Sequence, residues 1–268
     1  MMIAQLDLFS IAICVVFLAF GSWSDLRTRE VSNKLWAVSL PVSAAITVIR
    51  ISLSTGLVLL YFASISISIL VSIAIFEAGF FGGADAKAMI CLGVALPLSP
   101  SIFHPIFGYF HPFFPLVVLT NGFLISLLSV LYVVGRNLRW KLRTKEPLFQ
   151  GFESEPFLKK VLVAVSGYKV ALAELRRRPH LIPMEDVDET DGEPQRTIRI
   201  FAGAEADTEA PVERLERYNS TGLVPDLVWI TPGLPMLVFL SFGFVASLVL
   251  GDVLFHAILS AAKSVFSA

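Results

Sequence analysis

Two aspartates in mostly apolar surroundings are the residues of this sequence best suited to chemistry. Asp25 follows the first apolar stretch, and Asp85 follows three small residues, Gly82, Gly83 and Ala84. An ionisable side chain at membrane depth is costly, so two of them indicate a function. Two carboxyl groups that share one proton supply a base to activate water and an acid to protonate an amide. Such groups titrate as a pair, so the sequence assigns neither role to one residue.

The composition is typical of a membrane protein. The chain has 268 residues, of which 55% are hydrophobic and 16% charged, and its net charge is -1. A soluble domain carries about a quarter charged residues. The apolar residues form blocks near the roughly 20 residues that a membrane helix needs. These numbers predict a polytopic helical membrane protein without a nucleic-acid partner, and the two isolated cysteines predict neither a disulfide nor a zinc site.

The apolar blocks predict six membrane helices, near residues 3–23, 35–53, 56–76, 86–96, 113–134 and 232–255. The fourth is too short to cross the ~30 Å hydrocarbon core at about 1.5 Å per residue. The predicted fold class is an all-α polytopic membrane protein with six transmembrane helices and a small mixed cytoplasmic domain inserted before the last helix. The predicted domains are 1–135, which holds both aspartates, the insert 136–227, and 228–268 with the last helix.

The predicted insert contains three distinct segments. Residues 158–175 have helical spacing of apolar residues and could lie on the membrane. Residues 184–194 are acidic and rich in turn formers, which predicts a solvated linker. Residues 196–201 alternate as a short strand does.

The distribution of basic residues predicts the orientation. The chain start and the loop 98–112 carry no Lys or Arg, and the loop after the second helix carries only Arg50. By the positive-inside rule, the N-terminus lies outside, and Asp25, Asp85 and the insert lie on the cytoplasmic side. The basic residues after the first and fifth helices are Arg27, Arg29, Lys34, Arg136, Arg139, Lys141, Arg143 and Lys145.

Structural roles are the alternatives for the same residues. Asp85 is in a position to cap the helix that follows it, and Asp25 to cap a turn or pair with Arg29. The small residues before Asp85 let an extended substrate backbone approach, but they also permit close helix packing. Arg27 and Lys87, each two residues from an aspartate, either act on the carboxyl groups or extend to water as interfacial cations.

Around these residues the chain resembles the GxGD-type membrane aspartic peptidases, and more closely the archaeal preflagellin and type IV prepilin peptidases. Asp25-Leu-Arg-Thr-Arg-Glu-Val-Ser-Asn33 is similar to the first-aspartate segment of that family. Gly82-Gly-Ala-Asp85-Ala-Lys87 is similar to its second motif, with Ala84 in place of the second glycine. The segment from Val228 through Asp252 is also similar to archaeal members, so the resemblance spans nearly the whole chain.

The resemblance implies cleavage of short basic leader peptides from archaellin or pilin precursors, which carry class III (type IV pilin-like) signal peptides. It implies Asp25 and Asp85 as the catalytic pair, a motif position at Asn33, and no metal or other cofactor. A turn or cap is the structural alternative for Asn33. No methyl transfer is expected, because the start of the chain lacks a cysteine-bearing cytoplasmic loop.

Two other functions remain open. One is a presenilin-like intramembrane protease, although the predicted position of both aspartates at helix ends favours a leader peptidase. The other is a transporter that uses the two aspartates as a proton relay, for which repeated halves would be expected. No internal repeat is evident in the sequence.

Overall fold

The structure is a computed structural model that describes residues 2–178, 180–189, 194–200, 209–233 and 235–266. It divides the chain into two compact units. Unit 1 comprises Met1–Ser126 and Pro235–Ala268, and unit 2 comprises Leu127–Leu234. The division predicted from the sequence, at residues 135/136 and 227/228, stays a prediction.

Unit 1 is built from apolar helices. They are α1 (Met2–Thr28), α2 (Asn33–Leu53), α3 (Val58–Glu77), α4 (Gly83–Ala95), the first part of α5 (Phe114–Thr144), α8 (Met236–Val249) and α9 (Val253–Phe266). Among the described residues, four helices are long and apolar enough to cross a membrane, or five if the bent pair α8–α9 forms one span. The chain is thus a polytopic membrane protein, but the six predicted spans are not confirmed.

The last predicted helix is broken rather than continuous. Helix α8 ends at Val249, and α9 leaves at an angle of 61° to it. Gly251 lies in the break with a positive φ of 86°, a conformation that glycine adopts without strain. A Cβ at Gly251 would also collide with the carbonyl oxygen of Gly108, and the N–H of Asp252 donates to that oxygen at 3.0 Å.

Helix α4 forms the centre of unit 1, where it contacts α1, α2, α3 and α8. Its 13 residues span about 20 Å, so it is a buried core helix shorter than the hydrocarbon thickness. The α3 helix approaches it closely at Gly93, where a Cβ would lie 2.5 Å from the Cβ of Ser68. The buried hydroxyl of Ser68 is satisfied within α3, because it donates to the carbonyl of Ser64 at 2.7 Å.

A buried ion pair joins the start of α1 to the end of α2. Arg50 is 3% exposed and lies 3.1 Å from Asp7, and it also donates to Ser10 Oγ and the carbonyl of Ala95. The backbone N–H and the hydroxyl of Ser101 both donate to Asp7 at 2.8 Å. Arg50 is therefore part of a packed network, and its charge is compensated within the protein.

Unit 2 contains two small antiparallel sheets. Strands β1 (Tyr168–Ala171), β5 (Leu227–Pro232) and β2 (Leu181–Pro183) form one sheet in the order β1-β5-β2, and β3 (Glu185–Asp188) pairs with β4 (Gln195–Ile198). Unit 2 also contains the end of α5, helices α6 (Phe157–Ser166) and α7 (Glu209–Ser220), and a short 3-10 helix at Leu172–Glu174. The prediction of one helix over 158–175 is wrong beyond Ser166, where β1 follows after Gly167.

The acidic segment 184–194 is not a solvated linker over its first part. Glu185 and Asp186 are each 1% exposed in β3, because arginines compensate both charges. Arg196 donates to Glu185 at 2.8 Å, and Arg214 donates to both carboxylate oxygens of Asp186 at 2.9 and 2.7 Å. Residues 190–193 of the predicted linker, and residue 201 of the predicted strand 196–201, lie outside the described residues.

Candidate active site

Asp25 lies in the last turn of α1, since this helix continues past the predicted end to Thr28. The chain then reverses at Arg29, whose φ is 58° and whose N–H donates to the carbonyl of Asp25 at 3.0 Å. The Thr28 hydroxyl donates to the carbonyl of Glu30 at 3.0 Å and holds this turn. The Asp25 side chain is therefore half-buried at a helix C-terminus, where the helix dipole disfavours a negative charge.

Asp85 lies in the first turn of α4 and is buried. Its Oδ2 accepts a hydrogen bond at 3.0 Å from the N–H of Gly82, the N-cap of α4, which is the half of a capping box that a glycine N-cap allows. The predicted capping role is thus present, but at the third helical position. The backbone N–H of Leu237, in the first turn of α8, lies close enough to the Asp85 carboxyl group to interact with it electrostatically. Two helix N-termini therefore present positive partial charge to one carboxyl group.

The structure brings the two aspartates together. Asp25 lies within electrostatic range of Asp85, and Arg29 lies within range of both carboxyl groups. One turn before Asp25, the hydroxyl of Ser22 hydrogen-bonds that of Ser241 in α8 at 2.7 Å. The ends of α1, α4 and α8 thus position the pair at one end of unit 1.

The remaining motif residues lie near the ends of α1, α2 and α4. The Nζ of Lys87 donates to Oδ1 of Asn33 at 2.8 Å, which links the start of α2 to the first turn of α4. Arg27 is exposed, and its guanidinium lies 4.7 Å from the centre of the Trp23 ring. Ala84 packs on the core of unit 1, and Gly83 is the first residue of α4. Lys87 and Asn33 thus support each other, and Arg27 packs along α1.

Two contributors were missed by sequence reasoning. Arg29 was considered only as a local partner of Asp25, but it acts on both carboxyl groups. Its position four residues after Asp25 in the sequence was the available signal. The N–H of Leu237 has no side-chain signal, although the proline at position 235 predicts the helix start that presents it.

The described residues contain no group of three or more His, Cys, Asp or Glu side chains placed to hold a metal ion. Residues 12–134, which include both aspartates, match the type IV leader peptidase family. Residues 159–253 match the archaeal peptidase A24 C-terminus, type II. Over both matched segments, the chain is similar to the type IV leader peptidases.

The resemblance seen in the motifs is thereby confirmed, and the chain is a peptidase of this type. A preflagellin peptidase from Methanococcus voltae is 24% identical over 259 residues, which cover 92% of this chain and 97% of that relative. The leader peptidase match covers α2, α3 and α4 and ends within α5, while the second match begins within α6 and ends at the first residue of α9. Asp85 lies within the first matched segment, and Leu237 lies within the second.

Proposed function

We propose that this chain is a membrane aspartic endopeptidase that removes short basic leader peptides from archaellin or type IV pilin-like precursors. The observation that carries the proposal is that Asp25 and Asp85 lie within electrostatic range of each other at one end of unit 1. The match to the leader peptidase family and the similarity to a preflagellin peptidase support this substrate class.

Hydrolysis needs one ionised and one protonated carboxyl group. Two carboxyl groups with interacting charges are not both easily ionised, so the pair holds one proton between them. The ionised group takes a proton from water as its oxygen attacks the scissile carbonyl carbon, and the protonated group donates to the leaving amide nitrogen as the C–N bond breaks. The N–H of Gly82 holds the Asp85 carboxyl group by a hydrogen bond to Oδ2.

The backbone beside Asp85 suits an extended substrate. Gly82 has φ -76° and ψ 164°, the conformation of a strand, and it carries no side chain to keep a second backbone away. An extended peptide can hydrogen-bond alongside such a segment, as in β-strand addition. We propose that the residues flanking the scissile bond bind here, with the hydrophobic part of the precursor in the bilayer.

The orientation we propose puts this site on the cytoplasmic side and the N-terminus outside. Arg50 is the one basic residue in the last turn of α2, on the proposed outer side of the membrane. Its ion pair with Asp7 compensates its charge, so it does not count against this orientation. The basic residues that remain between α1 and α2 and at the end of α5 then determine the orientation. Both aspartates lie within one turn of a helix end, which favours cleavage near the surface over intramembrane proteolysis.

The decisive experiment replaces each carboxyl group with its closest uncharged analogue. We expect Asp25→Asn and Asp85→Asn each to abolish cleavage of an archaellin or pilin precursor in membranes, because neither variant retains an acid–base pair. Asn at position 85 still offers an oxygen to the Gly82 N–H, so the helix start is preserved. Asp226→Asn, in unit 2, is the matched control and should cleave normally.

Cleavage is read as the mass shift of the precursor, together with insertion of each variant. Normal processing by either active-site variant would reject the mechanism. Inhibition of the unmodified enzyme by a chelator would indicate a metallopeptidase instead.

A second experiment tests the substrate path at Gly82. Any residue can adopt this backbone conformation, and a Cβ would lie 3.5 Å from Asp85 Oδ2, an ordinary contact. We therefore expect Gly82→Ala and Gly82→Val to fold, with KM rising from Gly to Ala to Val as the substrate backbone is displaced. An unchanged KM in a folded Val variant would show that substrate does not pass over Gly82.

A further inference from the structure

Helix α6 presents an apolar face outward from unit 2. Phe157 and Leu158 are 83% and 69% exposed, and Val161 and Leu162 lie one turn later on the same face. On the other side, Val163 is fully buried in a cluster with Phe152, Met184, Ile198 and Trp229. The helix therefore has one apolar side buried in unit 2 and a second apolar face that is exposed.

The depth of α6 follows from its attachment to α5. Counted from Phe114, the roughly 20 residues that cross a bilayer end near Val134, and Arg136 and Arg139 follow directly. The side chain of Asn137 donates to the carbonyls of Ala164 and Gly167 at 2.8 and 2.7 Å. Asn137 lies three residues beyond Val134, so the end of α6 is held about 5 Å outside the hydrocarbon core.

The cations of α6 are already engaged within the protein. Lys159 forms an ion pair with Glu155 at 2.8 Å, and Lys160 donates to the carbonyl of Glu153 at 2.8 Å. Electrostatic attraction to anionic headgroups is therefore not the main force available to this helix. The main force available is the burial of its exposed apolar side chains, because their transfer from water to the interface is favourable without any charge on the lipid.

We propose that α6 lies in the lipid–water interface with Phe157, Leu158, Val161 and Leu162 against the bilayer. The depth set by α5 and the apolar face at that depth point to lipid rather than to a second protein. Leu131 and Leu138 of α5 are also exposed, one on each side of the same boundary. The proposal rests on α5 spanning the membrane and is independent of the peptidase mechanism.

Spin labels on the full-length protein in nanodiscs test this placement. Leu158→Cys and Leu162→Cys provide two labelled positions on α6, and Leu223→Cys, an exposed leucine in a turn of unit 2, is the matched control. The native Cys14 and Cys91 are buried, and the unmodified chain measures any background labelling. Collision with oxygen, which concentrates in lipid, is compared with collision with a water-soluble nickel chelate.

We expect both α6 labels to collide preferentially with oxygen and the Leu223 label to show the reverse preference. The α6 preference should be the same in discs of neutral and of anionic lipid, because Lys159 and Lys160 are engaged. Nickel preference at both α6 positions would place the helix in water and overturn the proposal. Protection from both reagents would indicate a protein partner and overturn it equally, as would a preference that disappears in neutral lipid.

Discussion

Breaking the Asp7–Arg50 ion pair is expected to destabilise the protein strongly. Arg50→Met removes a 3% exposed cation and leaves Asp7 buried with only the two Ser101 donors. Loss of one partner of a buried ion pair costs about 3–5 kcal/mol. Because two donors to Asp7 remain, we expect the lower end, about 3 kcal/mol. Ordinary polar contacts between membrane helices contribute roughly 0.6 kcal/mol, so the two cases are distinguishable.

The assay is unfolding of the purified protein by a denaturing detergent, followed by tryptophan fluorescence. The double variant Asp7→Leu, Arg50→Met should cost clearly less than the sum of Asp7→Leu and Arg50→Met, because neither charge is left alone. The folded fraction of each variant should still cleave, since residues 7 and 25 are about 27 Å apart along α1. Additive losses below about 1 kcal/mol each would refute the view that this pair stabilises the fold.

Two further predictions concern packing and pH. Gly243→Ala should lower the free energy of unfolding by about 1–3 kcal/mol, because the new Cβ would lie 2.6 Å from the backbone N of Gly122. Gly135→Ala is the control, because a Cβ there would have nothing within 4 Å. It should leave stability unchanged or raise it in the same unfolding assay. Burial opposes ionisation of Asp186, but hydrogen bonds led by those from Arg214 hold its pKa below the usual range. The resulting stability is present above about pH 3.9 and is lost as the pH falls through the pKa of the folded protein. Asp186→Asn should therefore lower the free energy of unfolding at neutral pH, and it should weaken the loss of stability at acid pH. An unchanged loss of stability at acid pH would contradict this role.

The sequence alone could predict that Asp25 and Asp85 lie at the same end of the helices, because this prediction needs only a count of the apolar segments. Each segment reverses the chain, so the parity of helix ends predicts which polar breaks share a face. The break in the last helix was not within reach. It requires the carbonyl of Gly108 to occupy the space beside Gly251, a contact between residues far apart in the chain.

The acidic residues of β3 show the same limit. Glu185 and Asp186 look like part of a solvated linker because their compensating partners, Arg196 and Arg214, follow 11 and 28 residues later. A short stretch of sequence around Glu185 and Asp186 therefore shows the negative charges without the arginines that compensate them. Burial of a charge depends on its partner in space, and composition predicts exposure only where that partner is absent.

The two ends of unit 1 treat buried carboxyl groups in opposite ways, and this difference favours catalysis at one end. At one end Asp7 has a cation and two donors, so its charge is compensated and its position is fixed. At the other end Asp85 accepts a hydrogen bond from the backbone N–H of Gly82, and the charges of Asp25 and Arg29 act on it without a salt bridge to Asp85 among the described residues. Dipoles orient a carboxyl group without neutralising it, so this arrangement suits the proton exchange between the two aspartates that we propose. A purely structural aspartate at this position would be expected to have the kind of partner that Asp7 has.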